Sequence, residues 1–493
     1  MGADVEARSY TREDRRRYRD KVQTDLEALR RMLAEGLVVD ADTQAGLEVE
    51  FNLVDADLQP DMRNTEVLAA IDDDASFQTE LGRFNVEINL PPQSLRKGGL
   101  TAFEVHTRDL LTAADERASS IGSRLVMVGI LPTLMPEHVR ADQISENPRY
   151  SLLDAQILGA RGEDLVIDID GGRERLQMVS DSIMPEAAAT STQVHLQIDP
   201  ADFGAVWNAS QAVAGIQVAL GANSPYLFGH RLGAENRIPL FAQSTDTRGE
   251  DLKAQGVRPR VWFGERWVET VFDLFEENAR YFSALLPECS DEDPMAVLDA
   301  GGVPELPELS LHNGTIYRWN RPIYDVSDGA AHIRVESRVL PAGPTVLDTI
   351  ANAAFFAGVV RALAREPRPV WREMSFLAAQ DNLDNAVADG IDAVVYWPGA
   401  GQVKVGELVL RRLLPLAAEG LAEQGVSGAE VDRYLSVIEQ RCLLGRNGAT
   451  WQTAHVGARE AAGESRERAL HGMLGEYIDL MHTGEPVHTW KER

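Results

Sequence analysis

Cysteine is scarce in this sequence of 493 residues, and so are aromatic side chains, at 6%. The two cysteines, Cys289 and Cys442, lie far apart and match neither a disulfide framework nor a thiolate metal cage, so a reducing, cytoplasmic setting is expected. Positive charge is scarce too. Forty-eight Lys and Arg face 77 Asp and Glu, a net charge of −29 that repels phosphate backbones and anionic lipid, and neither nucleic acid nor a membrane is an expected partner. The longest uncharged stretch, Phe203 to Gly229, is interrupted by Asn208, Ser210, Gln211, Gln217 and Asn223. A spanning helix needs about 20 predominantly apolar residues, so a buried helix is expected there instead. The charged run Arg12-Glu13-Asp14-Arg15-Arg16-Arg17 lacks the apolar core of a secretory signal. Two motifs are also missing: no G-x-x-x-x-G-K-[ST] loop cradles phosphates, and no G-x-S-x-G turn presents a serine nucleophile.

With 44% apolar and 25% charged residues, what remains is an ordinary globular chain. Val22, Leu26, Leu29 and Leu33 recur at helical spacing within Thr11 to Leu37, which predicts an amphipathic helix over residues 1–40 packed on the outside of the body. Between 41 and 345 short alternating runs separate helical segments, the pattern of an α+β fold with a mostly antiparallel sheet and helices on its outer face. From 346 to 493 Ala/Leu-rich periodicity predicts a helical layer integral to the same body, with helices at Leu347 to Arg365, Leu408 to Gln424, Ala429 to Gln440 and Ala458 to His482. Asp251 to Gly256 and Pro287 to Pro307 read as loops.

Four runs carry the chemistry. Gly46 to Leu53 places Glu48, Glu50 and Asn52 on one strand face, and Arg83 to Leu90 does the same with Asn85, Glu87 and Asn89, with Glu80 seven residues before Glu87. Gln193 to Asp199 groups Gln193, His195 and Gln197, and His332 to Val339 groups Arg334, Glu336 and Arg338. A solvated sheet face is ordinarily filled with Thr, Ser and Lys as well as acids. These four faces hold no Lys and consist of Glu, Asn, Gln, His and Arg. Brought onto one sheet, at least three carboxylates converge, and they stay ionised together only with a cation between them. Oxygen donors with one imidazole and no thiolate favour Mg²⁺ or Mn²⁺, with positions left for phosphate oxygens, so ATP is the expected co-substrate. Arg338, two residues from Glu336, is placed to stabilise a transferring phosphoryl group.

At these residues the chain resembles the glutamate-cysteine ligase type 2 family, carboxylate-amine ligases with a glutamine synthetase-like catalytic fold. Gly46-Leu47-Glu48-Val49-Glu50-Phe51 is similar to that family's opening strand, Glu80 and Glu87 to its following acidic pair, and Gln193-Val194-His195-Leu196-Gln197 to its histidine strand. Asn223-Ser224-Pro225 followed by Arg237 and Thr245-Asp246-Thr247 resembles its "NSP" turn and substrate arginine, and Arg334-Val335-Glu336-Ser337-Arg338 its late strand. Asn382 to Trp397 and Gly445 to Gln452 resemble C-terminal helical segments of its bacterial members; the resemblance does not place Leu311 to Trp319.

The resemblance implies a curved antiparallel sheet forming a funnel, with ATP and two or three Mg²⁺ (or Mn²⁺) inside. It implies that Glu48, Glu50, Glu80, Glu87, His195 and Glu336 hold metal and that Arg338 meets the phosphoryl in flight. Arg334 and Arg237 are candidates for a substrate carboxylate or nucleotide phosphate; Gln193 and Gln197, with His195, for nucleotide or substrate. The activity implied is ATP-dependent joining of L-glutamate, or a similar acid, to L-cysteine or another amine through an acyl phosphate, as in glutathione biosynthesis. A small-molecule kinase and a non-catalytic Mg-ATP binding protein are the rival readings. No feature of the sequence sets oligomeric state.

Overall fold

The alternation at Leu47, Val49, Phe51 and Leu53 is realised as a strand whose apolar side chains are all buried, and it forms the middle of a seven-stranded sheet. The computed structural model describes residues 10–39, 44–71 and 75–491. The sheet contains β1 (Gln44–Val54), β2 (Phe77–Thr79), β3 (Asn85–Ser94), β4 (Arg124–Val126), β5 (Ser191–Gln197), β6 (Asn320–Ser327) and β7 (Ala330–Pro341). Strand order is β6-β7-β5-β1-β3-β2, with β4 paired to the end of β1, and every pairing is antiparallel. The sheet curls into a half-barrel, as the expected funnel requires.

One face of this sheet is largely apolar, with buried Thr192 and Ser337 among its apolar side chains. Val86 and Ile88 from β3, Val194 and Leu196 from β5, and Ile333 and Val335 from β7 join the β1 residues in the core. Helices cover that face: α1 (Phe203–Gly221) and α2 (Val346–Arg365) cross it, and α3 (Gly428–Leu444) backs α2. Burying each large apolar side chain is worth about 1.5–3 kcal/mol, so the register that sends these residues outward to the helices also sends the charged ones into the funnel. α2 is the one described helix long and apolar enough to cross a membrane by composition, and most of it is buried in this core. The N-terminal helix Arg12–Glu35, capped by Thr11, packs on Pro307–Gly314 and Val271–Tyr281, with Tyr18, Leu26 and Leu29 inward.

Two bulges shape the funnel. Gln44 to Leu47 pairs with Leu90 to Ser94 across a slip at Pro91-Pro92, where missing N–H groups break the ladder. On β7 the pairing shifts between Ser337 and Leu340, so Arg338 and Val339 together face Gln193 of β5. A bulge re-aims a side chain. Here it turns Arg338 back to contact Gln193 and Glu336.

The structure departs from the sequence reading in local ways. Asp251 to Gly256 is not a loop throughout: Glu250–Ala254 is a short helix with a Glu250–Lys253 pair three residues apart. Pro287 to Pro307 contains the helix Pro294–Asp299, whose first amides are capped by Asp293. The expected helix from Ala458 to His482 is two, α4 (Gly448–Ala461) and α5 (Arg466–Thr483), divided by Gly463 at φ 94° and restarted by the Ser465 cap. Leu408 to Gln424 widens into a π turn at Val409–Leu413, just before Pro415, which has no N–H to give the preceding turn.

Candidate active site

Register alone assembles the polar face. Glu48 lies opposite Gln193 on β5 and Asn89 on β3, Glu50 opposite Glu87, Glu87 opposite Gln78 on β2, Glu336 opposite His195, and Arg334 opposite Gln197. Side chains that were dispersed over 289 positions of sequence thus line one concave surface.

Two triads result. In one, Glu48, His195 and Glu336 offer ligand atoms within 4.8 Å of one another; in the other, Glu50, Glu80 and Glu87 do the same. His195 Nε2 stands 3.0 Å from Glu48 Oε1. Arg321 grips Glu336 with Nε and, at 2.9 Å, with Nη2, while Arg338 Nη1 donates to Glu336 Oε1 at 2.7 Å. Glu50 accepts from the Ser191 amide at 2.6 Å, the Ser191 hydroxyl at 2.9 Å and Gln193 Nε2 at 3.0 Å. Glu87 accepts from Gln78 at 2.5 Å and Asn89 at 2.8 Å.

The triads differ electrostatically. Burial raises a carboxyl, but at Glu48 it is outweighed by His195, and the group is lowered to about 2. At Glu336 burial is likewise outweighed, by Arg321 and Arg338, and the carboxyl is held well below its ordinary value. In the second triad burial wins: Glu50, further raised by Glu80, reaches about 7, burial raises Glu80, and burial with repulsion from Glu48, Glu80 and Glu50 raises Glu87. Glu80 and Glu87 bring carboxylate oxygens within 4.8 Å of each other, an arrangement that favours a shared proton or a cation between them. An all-oxygen triad beside one with a single imidazole suits Mg²⁺ or Mn²⁺ and fits neither zinc nor copper well.

A pH and metal dependence follows. Folded-state values above the unfolded value of about 4.3 favour the protonated fold, so this contribution to stability is full below that value and is lost as pH climbs through about 7 at Glu50. Metal-free protein is therefore expected to melt lower at pH 8 than at pH 5.5, and Mg²⁺ to stabilise the fold more at the higher pH, by about 1 kcal/mol or more. Melting scans with and without Mg²⁺ at both values check this; an equal Mg²⁺ effect at each contradicts it. Glu48 and Glu336, whose values are lowered, contribute in the opposite sense and only under stronger acid.

The other expected residues are placed less directly. Gln193 donates to Glu50 and accepts from Arg338, so it links the two triads. Gln197 shares their face one register step beyond His195, opposite Arg334. Arg334 itself turns away to Asp325 Oδ2 at 2.9 Å and His332 Nε2 at 2.8 Å. Arg237, 3% exposed, gives Nε to Glu235 at 2.6 Å and Nη2 to the Val339 carbonyl at 2.8 Å, which makes it a tie to the β7 bulge. The Asn223-Ser224-Pro225 turn is a joint as well. Asn223 donates to Ala342 and Tyr477 at 2.8 Å and accepts from Gln452 at 2.8 Å, and Ser224 donates to Glu235 at 2.7 Å. The segment Gly445 to Gln452 therefore matters by bolting α4 to this turn. Asn52 and Asn85 hydrogen-bond each other inside the core.

Sequence reasoning missed Arg321, Ser191, Gln78 and Glu186. Arg321 was legible, since its strand follows the unplaced segment Leu311 to Trp319 and leads by hairpin into β7. Glu186 sits on a 3₁₀ turn, Met184–Ala188, with no periodicity to mark it. Burial first, then Glu80 and Glu50, raise it to about 8.

No curated protein matches this sequence. Among solved structures, the glutamate-cysteine ligase of Francisella tularensis in complex with AMP superposes at TM-score 0.54 with 11% identity, over 90% of each chain. A bifunctional glutathione synthetase from Pasteurella multocida superposes at 0.51 with 12% identity, over 93% of this chain and 55% of that one. These likenesses carry the fold; the lineage comes from the sequence, whose residues 44–471 match the model of glutamate-cysteine ligase family 2 (GCS2), and the chain belongs to that family.

Proposed function

We propose that this protein is an ATP-dependent carboxylate-amine ligase that joins the γ-carboxyl of L-glutamate to L-cysteine, through an acyl phosphate. Membership of the family supports a carboxylate-amine ligase. The observation that carries the ATP- and metal-dependent chemistry is the pair of triads bridged by Gln193 and Arg338.

Glu48, His195 and Glu336 would hold one cation, and Glu50, Glu80 and Glu87 another. Bound there, Mg²⁺ would supply charge neutralisation for the phosphates of ATP. Arg338 supplies a fixed guanidinium beside the position of the transferring group. Its aim is set by the β7 bulge and by Glu336, and Arg321 holds Glu336 from the adjacent strand. The substrate carboxylate attacks the γ-phosphorus, ADP leaves, and the resulting acyl phosphate is open to attack by an amine. Gln78, Asn89 and Ser191 orient the carboxylates of the second triad by hydrogen bonds.

Phosphate release from Mg-ATP with L-glutamate tests the proposal, comparing no amine, L-cysteine and a panel of amino acids and amines. Cysteine-dependent release with γ-glutamylcysteine as product is the expected result. Release with another amine keeps the chemistry and changes the substrate, and a phosphorylated acid accumulating without amine makes the protein a kinase.

A further inference from the structure

Two adjoining cavities lie between the sheet and the helices that cover it. The larger, of about 100 Å³, is walled by Leu196 of β5, Val206 of α1 and Ala357 and Val360 of α2, with Asp199, Asp202, Arg361 and Gln424 also on its wall. Side-chain exposures of 51% at Asp202 and 26% at Arg361 mark its mouth. It shares Leu95, Leu196 and Ala357 with a smaller cavity of about 10 Å³, which reaches Leu47 and Val194 and has only apolar residues around it. A void of about that size admits one methyl group or one water, and no polar side chain there holds a water. The whole is a site with a charged mouth and a short apolar end.

The polar groups of this mouth are largely unspent. Arg361 Nη1 meets Asp202 Oδ2 at 3.5 Å, the one hydrogen bond of that guanidinium among the described residues, and a pair so long and so open to solvent holds weakly. Asp202 stands before α1 without its side chain capping the first turn, and Asp199 gives one oxygen to the Ala201 amide at 2.9 Å. Gln424, 7% exposed, donates its amide nitrogen to the carbonyls of Ala357 at 3.1 Å and Gly420 at 2.9 Å, while its side-chain oxygen has no donor among the described residues. A buried oxygen without a donor, on a cavity wall, is completed by an N–H that enters the cavity. An anion alone would meet two aspartates here, and a cation alone would meet Arg361. A zwitterion satisfies both, with its carboxylate on the guanidinium and its ammonium between the aspartates and the Gln424 oxygen.

We propose that this cavity binds a free α-amino acid with a short aliphatic side chain, such as L-leucine or L-valine, at a site distinct from the funnel. The apolar wall takes the side chain, and the small inner cavity limits it to about one methyl group beyond the larger one. Leu196 and Leu47 adjoin His195 and Glu48 in the chain, so an occupant touches from behind the two strands that carry the first triad. The site stands independently of the ligase reading, because none of its residues belongs to either triad.

Calorimetric titration of the whole chain with L-leucine, L-valine, N-acetyl-L-leucine and L-leucinamide tests the assignment. Saturable binding of L-leucine or L-valine is expected. N-acetyl-L-leucine, which lacks the ammonium, and L-leucinamide, which lacks the carboxylate, are each expected to bind about 10-fold or more weakly than L-leucine. Arg361→Met, at a half-buried position with one weak partner, is expected to keep the wild-type melting temperature and to weaken L-leucine by a similar factor, and Arg361→Lys to recover part of the loss. No saturable binding of either amino acid up to about 10 mM overturns the proposal. N-acetyl-L-leucine or L-leucinamide binding as tightly as L-leucine overturns it as well, and that comparison uses wild-type protein alone, whatever Arg361→Met does to the fold. Unchanged L-leucine binding in a folded Arg361→Met protein places the ligand elsewhere, the funnel included, and overturns the assignment too.

Discussion

Arg338→Ala is expected to lower phosphate release by about 100-fold or more while metal affinity rises. The two effects have one cause. Arg338 stands among carboxylates, hydrogen-bonded to Glu336 and Gln193, and Glu336, Glu50 and Glu48 all raise its already high pKa. Removing it deletes the donor aimed at the transferring phosphoryl and also deletes a cation that competes with metal for the same acids. Glu336 keeps its bidentate Arg321, so the β6-β7 hairpin retains its tie and the fold should survive. A purely structural role would instead lower melting temperature and weaken metal binding together. Measuring turnover against Mg²⁺ concentration, with melting in parallel, decides between them; near-normal turnover removes Arg338 from the phosphoryl position.

How much of this site could be read in advance is instructive. Period-2 alternation in Gly46 to Leu53, Arg83 to Leu90, Gln193 to Asp199 and His332 to Val339 is a local property, and it determines which side chains share a face. Hence five of the six triad residues were legible as residue types, while Glu80, outside the alternating runs, was marked only by its seven-residue separation from Glu87. What alternation leaves open is partner choice. Gln193 looked like a nucleotide contact and serves as a bridge between Glu50 and Arg338, because the β7 bulge swings Arg338 over it. Arg237 looked like a substrate ligand and is consumed by buried Glu235, two residues away, whose carboxylate has no alternative cation among the described residues. Arg334 met Asp325 across the hairpin for a similar reason: the nearest opposite charge wins. Helix ends were missed where a single cap or glycine decides them, as at Asp293 and Gly463.

The largest stability effect expected in the chain lies far from the carboxylates. Arg441 of α3, with its side chain 1% exposed, donates Nη2 to Asp348 Oδ1 at 2.7 Å and Nη1 to Asn352 Oδ1 at 2.6 Å. It also reaches the carbonyls of Leu220 at the end of α1 and Asp348 at the start of α2. Asp348 accepts from the Thr345 hydroxyl at 2.8 Å and from the Val487 amide at 3.0 Å. One ion pair thus joins the two helices that cover the sheet, the helix behind them and the C-terminal segment. Arg441→Ala leaves Asp348 buried and without its cation, and breaking such a pair costs about 3–5 kcal/mol, a sizeable part of the stability of an ordinary domain. The urea midpoint is expected to fall accordingly, with the slope unchanged if the transition stays cooperative. Arg441→Met combined with Asp348→Asn removes both charges and should recover much of the loss, since desolvating the pair offsets most of its attraction. If Arg441→Ala alone unfolds at the wild-type midpoint, the helical layer does not depend on this joint; if the double variant is no better than the single, the cost lies in lost packing and capping contacts rather than in a stranded charge.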